Sequence, residues 1–380
     1  MASNMFYIIE IVLIMVFTSV ACALPGVYLV LRKWSMMGDA ISHSVLLGIV
    51  LAYLLYRDLN SPYLLIGASI FALVSVYCVE LLSKISRAKM DSALGITFTF
   101  FFSVAVIIVS RFLSNSHIDI DMVLLGEVAF APLRRITVWG ISLPYSLIQM
   151  AVICILNCLI IVFLHRGLKV SSFDQNFARV AGFSLIFFQI VLMTMVSFST
   201  VAAFDAVGAV LVVSFLVTPA ATAYFFTDRL SMMMLLTAII AIFTSILGSI
   251  LALRFNVPYS GAVASVAGVL FFLAFCFNRR GLLYSVLSRR RLKKQFQSDL
   301  LILHLYNHRE ESDPNFLSEL GQHSILRHLN WTAAKLKTYK DRLIKEGLVE
   351  IDSDNHIFYL TDIGMQYAEK IRKEYGLDII

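Results

Sequence analysis

The chain has 380 residues, of which 59% are hydrophobic and only 15% charged, with a mean hydropathy of +0.81; an average soluble domain carries roughly 25% charge. This excludes an ordinary soluble globular protein and predicts an integral membrane protein. The five cysteines, Cys22, Cys78, Cys154, Cys158 and Cys276, all lie inside apolar runs, so neither a disulfide framework nor zinc-ribbon spacing can be read from them.

In chain order, apolar segments fall near 6–31, 34–56, 61–82, 93–113, 144–164, 179–200, 205–226, 230–253 and 259–278, each close to the roughly 20 residues a spanning helix needs. The expected fold is therefore an all-α polytopic membrane protein of about nine transmembrane helices. The first segment has no basic start and no clear small-residue cleavage site, and reads as a retained helix. The second contains Gly38-Asp39-Ala40-Ile41-Ser42-His43. Asp39 and His43 are four residues apart, so they share one helical face. Ionisable groups at membrane depth cost several kcal/mol and usually face a bundle interior or a solute pathway. A carboxylate beside an imidazole also suits a transition-metal ion.

The loop 114–143 includes Met122-Val123-Leu124-Leu125-Gly126, which reads as a short half-helix dipping back among its neighbours. Residues Gly167 to Arg179 are polar with two aromatics, Phe173 and Phe177, and predict a short helix lying across the inner face. An exposed Phe there needs an apolar partner, such as a groove on another subunit. The seventh segment carries Gly208, Pro219 and the small residues Ala220, Ala221 and Ala223, which allow close helix approach and a bend.

Basic residues at Arg32 and Lys33, Lys84, Arg87 and Lys89, Arg166 and Lys169, Arg229, and Arg279 and Arg280 fall in alternate loops. By the positive-inside rule those loops are cytoplasmic. Nine spans then put the N-terminus outside and the C-terminal tail inside. The sequence has no Gly-x-x-x-x-Gly-Lys-Ser/Thr phosphate loop, and neither His-Glu-x-x-His nor Gly-x-Ser-x-Gly. The polypeptide thus shows no means of hydrolysing ATP, and no enzyme activity is expected of it.

Pro25-Gly26-Val27-Tyr28-Leu29-Val30-Leu31-Arg32-Lys33, followed by Gly38 to His43, resembles the signature of the manganese/zinc/iron permeases of ATP-binding-cassette importers. Gly167-Leu168-Lys169-Val170 with Phe173-Asp174, the run Val207 to Ala223, and the weaker element Leu124-Leu125-Gly126-Glu127-Val128 agree in order. The resemblance covers roughly residues 5–278. It implies a permease subunit that moves a divalent transition metal, manganese, zinc or iron, as substrate across a bacterial inner membrane, with no permanently bound cofactor. It further implies a cytoplasmic ATPase, an extracytoplasmic metal-binding protein and a second permease subunit as partners, besides membrane lipid. Carried over by position, Asp39 and His43 handle the metal; Phe173, Asp174 and Phe177, in the polar segment read as a docking helix, are the expected ATPase contact. Asp205 stands where a glutamine is expected, which makes it the weaker metal candidate.

Beyond 278 the composition changes. Residues 279–297 form a basic juxtamembrane linker, and 298–380 read as a small α+β domain. Its order is helix, short helix, the helix Trp331 to Lys345 stopped by Gly347, a strand-turn-strand from Leu348 to Leu360, and a last helix. This resembles a winged helix-turn-helix, in particular the DNA-binding part of diphtheria-toxin-repressor-type metal regulators. Lys335, Lys337 and Lys340 would supply a nucleic-acid face. Against DNA binding stands the balance of ten basic and fourteen acidic residues in 298–380, a net charge near −4. Two other readings remain: a membrane-anchored metal-responsive transcriptional regulator and a proton-coupled secondary metal transporter.

Overall fold

The computed structural model describes residues 2–57, 62–85, 90–112, 128–138, 140–278, 281–308, 320–352 and 357–376. It divides into two compact units, Met1–Gly281 and Leu282–Ile380.

In the first unit the helices are α1 (Ala2–Leu31), α2 (Met37–Tyr56), α3 (Pro62–Ile85) and α4 (Met90–Phe112). A 3-10 turn at Val128–Leu133 and a hairpin, β1 (Arg135–Val138) with β2 (Ile141–Pro144), follow. The remaining helices are α5 (Tyr145–Phe173), α6 (Gln175–Val180), α7 (Leu185–Val207), α8 (Ala209–Tyr224), α9 (Leu230–Phe255) and α10 (Tyr259–Phe277).

Among the described residues, seven helices are long and apolar enough to cross a membrane: α1, α3, α4, α5, α7, α9 and α10. The nine expected segments correspond to these seven and to two shorter apolar stretches among the described residues, His43–Tyr56 within α2 and Ala209–Tyr224. The whole of α2 runs 20 residues. Gly208, at φ 82° and ψ 164°, cuts α8 to 16 residues, in a conformation open to glycine and costly for other residues. The Met122–Gly126 half-helix and Glu127 lie outside the described residues.

α1 is the central helix, packed against α5, α7, α8 and α9. It approaches α8 closely because Gly26 lacks a side chain: a Cβ there would sit 1.9 Å from the Leu216 carbonyl oxygen. Buried polar groups then fix its rotation. Asn157 of α5 donates to the Ala21 carbonyl at 2.9 Å and to Ser199 Oγ of α7 at 2.7 Å. Ser19 Oγ donates to the Ala241 carbonyl of α9 at 3.2 Å. Such interhelical bonds add on the order of 0.6 kcal/mol each in a membrane.

The α2 and α3 helices cross at Gly48 and Gly67, where a Cβ on Gly48 would meet the Gly67 carbonyl oxygen at 2.4 Å. Their partner α4 closes a three-helix group, and α2 also packs against α7 and α8. Two carboxylates of this unit are paired: Glu80 of α3 accepts from Gln189 of α7 at 2.8 Å, and Glu10 of α1 binds Arg135 through both oxygens, at 2.7 and 3.0 Å.

The second unit comprises α11 (Leu282–Asn307), α12 (Gln322–His328), α13 (Ala333–Lys345), β3 (Val349–Asp352), β4 (Ile357–Leu360) and α14 (Asp362–Glu374). Most of the segment read as a basic linker is therefore the first half of a continuous helix; Arg279 and Arg280 lie outside the described residues. The small winged-helix domain expected here is seen only as far as these helices and one two-stranded antiparallel hairpin, β3 with β4. Leu301, Ile302 and Leu305 of α11 share a core with Ile325, Leu336, Leu343, Phe358 and Ile371. Asp299 is buried among them and accepts from the hydroxyls of Tyr367, at 3.0 Å, and Tyr375, at 3.1 Å, so α11 and α14 are joined by polar as well as apolar contacts.

Candidate metal pathway and docking segment

The backbone of α2 carries Asp39 and His43 one turn apart, as their spacing predicts. The His43 ring lies between two phenylalanines of α4, stacked on Phe98 and edge-on to Phe102, each at a centroid distance of 5.4 Å. Around it α2 is tightly held: Ile41 and Val45 are fully buried. Gly38 lies so close to α8 that a Cβ would meet Leu216 Cδ1 at 2.9 Å. The side chains of Asp39 and Asp205 lie outside the described set. By backbone position Asp205 is in the last turn of α7, three residues before the break at Gly208.

That break is what sequence reading placed imprecisely. Gly208 ends α7 and begins α8, and Val207, Gly208 and Ala209 are all buried. Helix ends leave backbone N–H and C=O groups without intrahelical partners. At membrane depth such groups are tolerated only where protein or a polar cavity surrounds them. Broken helices of this kind line binding sites in many transporters.

The docking segment differs in detail from the expected helix over 167–179. α5 runs straight through Gly167, which is a packing glycine: a Cβ there would fall 2.0 Å from the Phe188 ring. The chain turns at Asp174, extended at φ −143° and ψ 101°, whose carboxylate caps α6 by accepting from the backbone N–H groups of Asn176 and Phe177, each at 2.9 Å. The six-residue α6 ends in a Schellman closure, with Phe183 N–H donating to the Ala178 carbonyl at 2.9 Å and Gly182 at φ 80°. Phe173, Phe177 and Val180 are exposed, at 58%, 59% and 88%.

Arg32 supports this segment from the end of α1. Its guanidinium donates to Ser171 Oγ at 2.9 Å and Ser172 Oγ at 3.1 Å, beside the Trp34 ring. Burial pulls its pKa down to about 10, which still leaves it charged at neutral pH. Its role is to tie the central helix to the end of α5, a link that sequence spacing alone does not show.

The three lysines proposed for nucleic acid are not gathered on one face. Lys335 and Lys337 lie about 200° apart around α13 by helical geometry, and Lys340 lies on the flank of Leu336 and Leu343, which face the core. Lys335 Nζ sits 4.5 Å from the centre of the Trp331 ring, and Lys340 lies 3.9 Å from Asp341.

A bundle of apolar helices around a polar-bolted central helix, with a buried helix break and a short capped helix between α5 and α7, defines a multi-spanning membrane protein of transporter type. The comparisons specify it. The chain belongs to the ABC 3 transport family, whose profile matches residues 4–278. It is 42% identical over 362 residues to the zinc transport system membrane protein TroD of Treponema pallidum, covering 95% of this chain and 97% of that protein. That match extends well into the second unit. It is 40% identical to the manganese transport system membrane protein MntD of Bacillus subtilis, covering 69% of this chain and 89% of that one. Among solved structures, PsaBC from Streptococcus pneumoniae in complex with Fab matches at a TM-score of 0.60 and 27% identity, covering 72% of this chain and 92% of that chain.

Proposed function

We propose that this chain is the membrane permease subunit of an ATP-driven importer for a divalent transition metal: manganese, zinc or iron(II). The observation that carries the reading is α2: it sets Asp39 and His43 one turn apart in a helix packed on α7 and α8. Relatives named for zinc and for manganese transport lie at nearly equal identity, so the ion is left at the class that imidazole and carboxylate both accept. Two ligands make a weak site, which suits a pathway that an ion must also leave. Asp205 is the weaker third candidate, at the end of α7.

In this reading the ATPase is a separate cytoplasmic subunit that seats against Phe173, Phe177 and the α6 turn capped by Asp174. An extracytoplasmic metal-binding protein delivers the ion, and a second permease subunit completes the pore. The basic residues flanking the helices favour a cytoplasmic second unit and an external N-terminus in a bacterial inner membrane. We read the second unit as winged-helix-like, with α12 and α13 as the helix-turn-helix and β3–β4 as the wing. Its acidic balance and dispersed lysines favour protein contact or control of transport over DNA.

The test is metal uptake by vesicles holding this chain and its ATPase. Asp39→Ala and His43→Ala should each abolish most ATP-dependent uptake while leaving the subunit assembled with the ATPase. Wild-type rates in both variants would overturn the pathway. Uptake without ATPase would favour a proton-coupled transporter instead.

A further inference from the structure

His304 and His308 stand one turn apart near the end of α11, and His328 is the last residue of α12. Their rings are mutual neighbours, with centroid separations of 4.8 Å for His304 and His308, 5.6 Å for His304 and His328, and 6.4 Å for His308 and His328. One ligand nitrogen from each lies within 4.8 Å of the others. The chain has eight histidines, and three of them converge here from two helices. We propose that these three imidazoles bind a divalent transition-metal ion of the zinc class.

Donor chemistry sets the class. Three neutral imidazoles offer nitrogen alone, which suits zinc, cobalt, nickel or copper; magnesium and calcium prefer oxygen. Zinc–nitrogen bonds of about 2.0–2.1 Å in tetrahedral geometry put ligand nitrogens roughly 3.4 Å apart. The observed cluster closes to that size by shifts of about an ångström in side chains that rotate freely at two bonds. His304 and His308 are partly buried, the first in the last turns of a helix anchored by Leu301 and Leu305 and the second just past its end, while His328 is exposed at a helix end and can swing. The net acidic balance of 298–380 favours a cation there.

Three protein ligands leave the fourth position open, which makes an exchangeable site rather than a closed structural one. The unit's core is apolar and already joins α11, α12, α13 and α14, so the ion is not needed to assemble it. What the ion adds is a bond between the end of α11 and the end of α12. The site lies outside the 4–278 region matched by the family and shares no residue with the α2 pathway, so it stands whether or not the transport reading does.

The test uses the purified full-length chain in detergent, with zinc binding followed by equilibrium dialysis and cobalt(II) as a spectroscopic probe. His328→Ala, at an exposed position, should lower zinc affinity at least about tenfold and remove the visible ligand-field bands of nitrogen-ligated cobalt. The double variant His304→Ala/His308→Ala should do the same. His323→Ala, an exposed histidine on the same α12 outside the cluster, should change neither. Wild-type affinity and spectrum in both His328→Ala and the double variant would overturn the proposal. So would bands that persist in His328→Ala but vanish in His43→Ala, since the probe would then sit in the membrane pathway.

Discussion

At the scale of single residues, the glycines and one tyrosine make the strongest demands. Gly26 has no space for a methyl group because the atom it would strike is backbone, the Leu216 carbonyl oxygen at 1.9 Å. Gly26→Ala must therefore push α1 from α8, at a cost of about 1–3 kcal/mol, and should lower the thermal midpoint of the chain in detergent. Gly95→Ala, where nothing lies within 4 Å of the added carbon, should leave it unchanged or slightly raised. In the second unit, burial and then the hydrogen bond to Asp299 push the Tyr367 phenol up to about 12, against an ordinary value near 10. A raised acid favours the neutral form in the folded state. Its contribution is complete below about pH 10 and is lost as pH rises from there toward 12. Tyr367→Phe should cost about 0.5–1.5 kcal/mol at neutral pH and flatten the alkaline fall. Fluorescence of Trp331 as the sole indole, with Trp34 and Trp139 replaced by Phe, would follow both.

At the scale of elements, the sequence shows type better than boundary. Apolar length alone identifies the long helices, because a lipid-facing helix has no alternative backbone partner. The break at Gly208 and the run of α5 past Gly167 are not legible that way. A glycine looks the same in sequence whether it ends a helix, as Gly208 does, or admits a neighbouring ring, as Gly167 admits Phe188. The Asp39 and His43 pair was legible because four residues fix a face; Asn157 and Arg32 were not, since their partners are 42 and 139 residues or more away. The element most open to test is α6. Its exposed Phe177 is held by a cap from Asp174, so Phe177→Ser should preserve the fold and remove apolar contact area. Fully burying a Phe is worth about 1.5–3 kcal/mol, so co-purification of the ATPase with the Phe177→Ser chain should weaken by about tenfold or more. Asp174→Ala should act more mildly, through loss of roughly 1 kcal/mol of capping. Undiminished co-purification in Phe177→Ser would remove the docking assignment.

At the scale of the whole molecule, the two units obey different solvents. The first keeps its polar side chains inside, on α1, α5, α7 and α9, and leaves apolar groups such as Val162 and Phe163 outward. The second is built the other way round, with an apolar core and charged surfaces on α13 and α14. A unit of that kind must lie in water, which in the topology proposed above is the cytoplasm. The five native cysteines lie on α1, α3, α5 and α10 of the first unit, so the second can be tagged without interference once they are replaced by alanine. Lys337 is exposed on α13, making Lys337→Cys a neutral place for a thiol. A membrane-impermeant maleimide should label it fully in inverted inner-membrane vesicles and not in intact cells. Labelling in intact cells would reverse the orientation, place the His304, His308 and His328 cluster outside the cell, and require the α6 segment to face a partner other than a cytoplasmic ATPase.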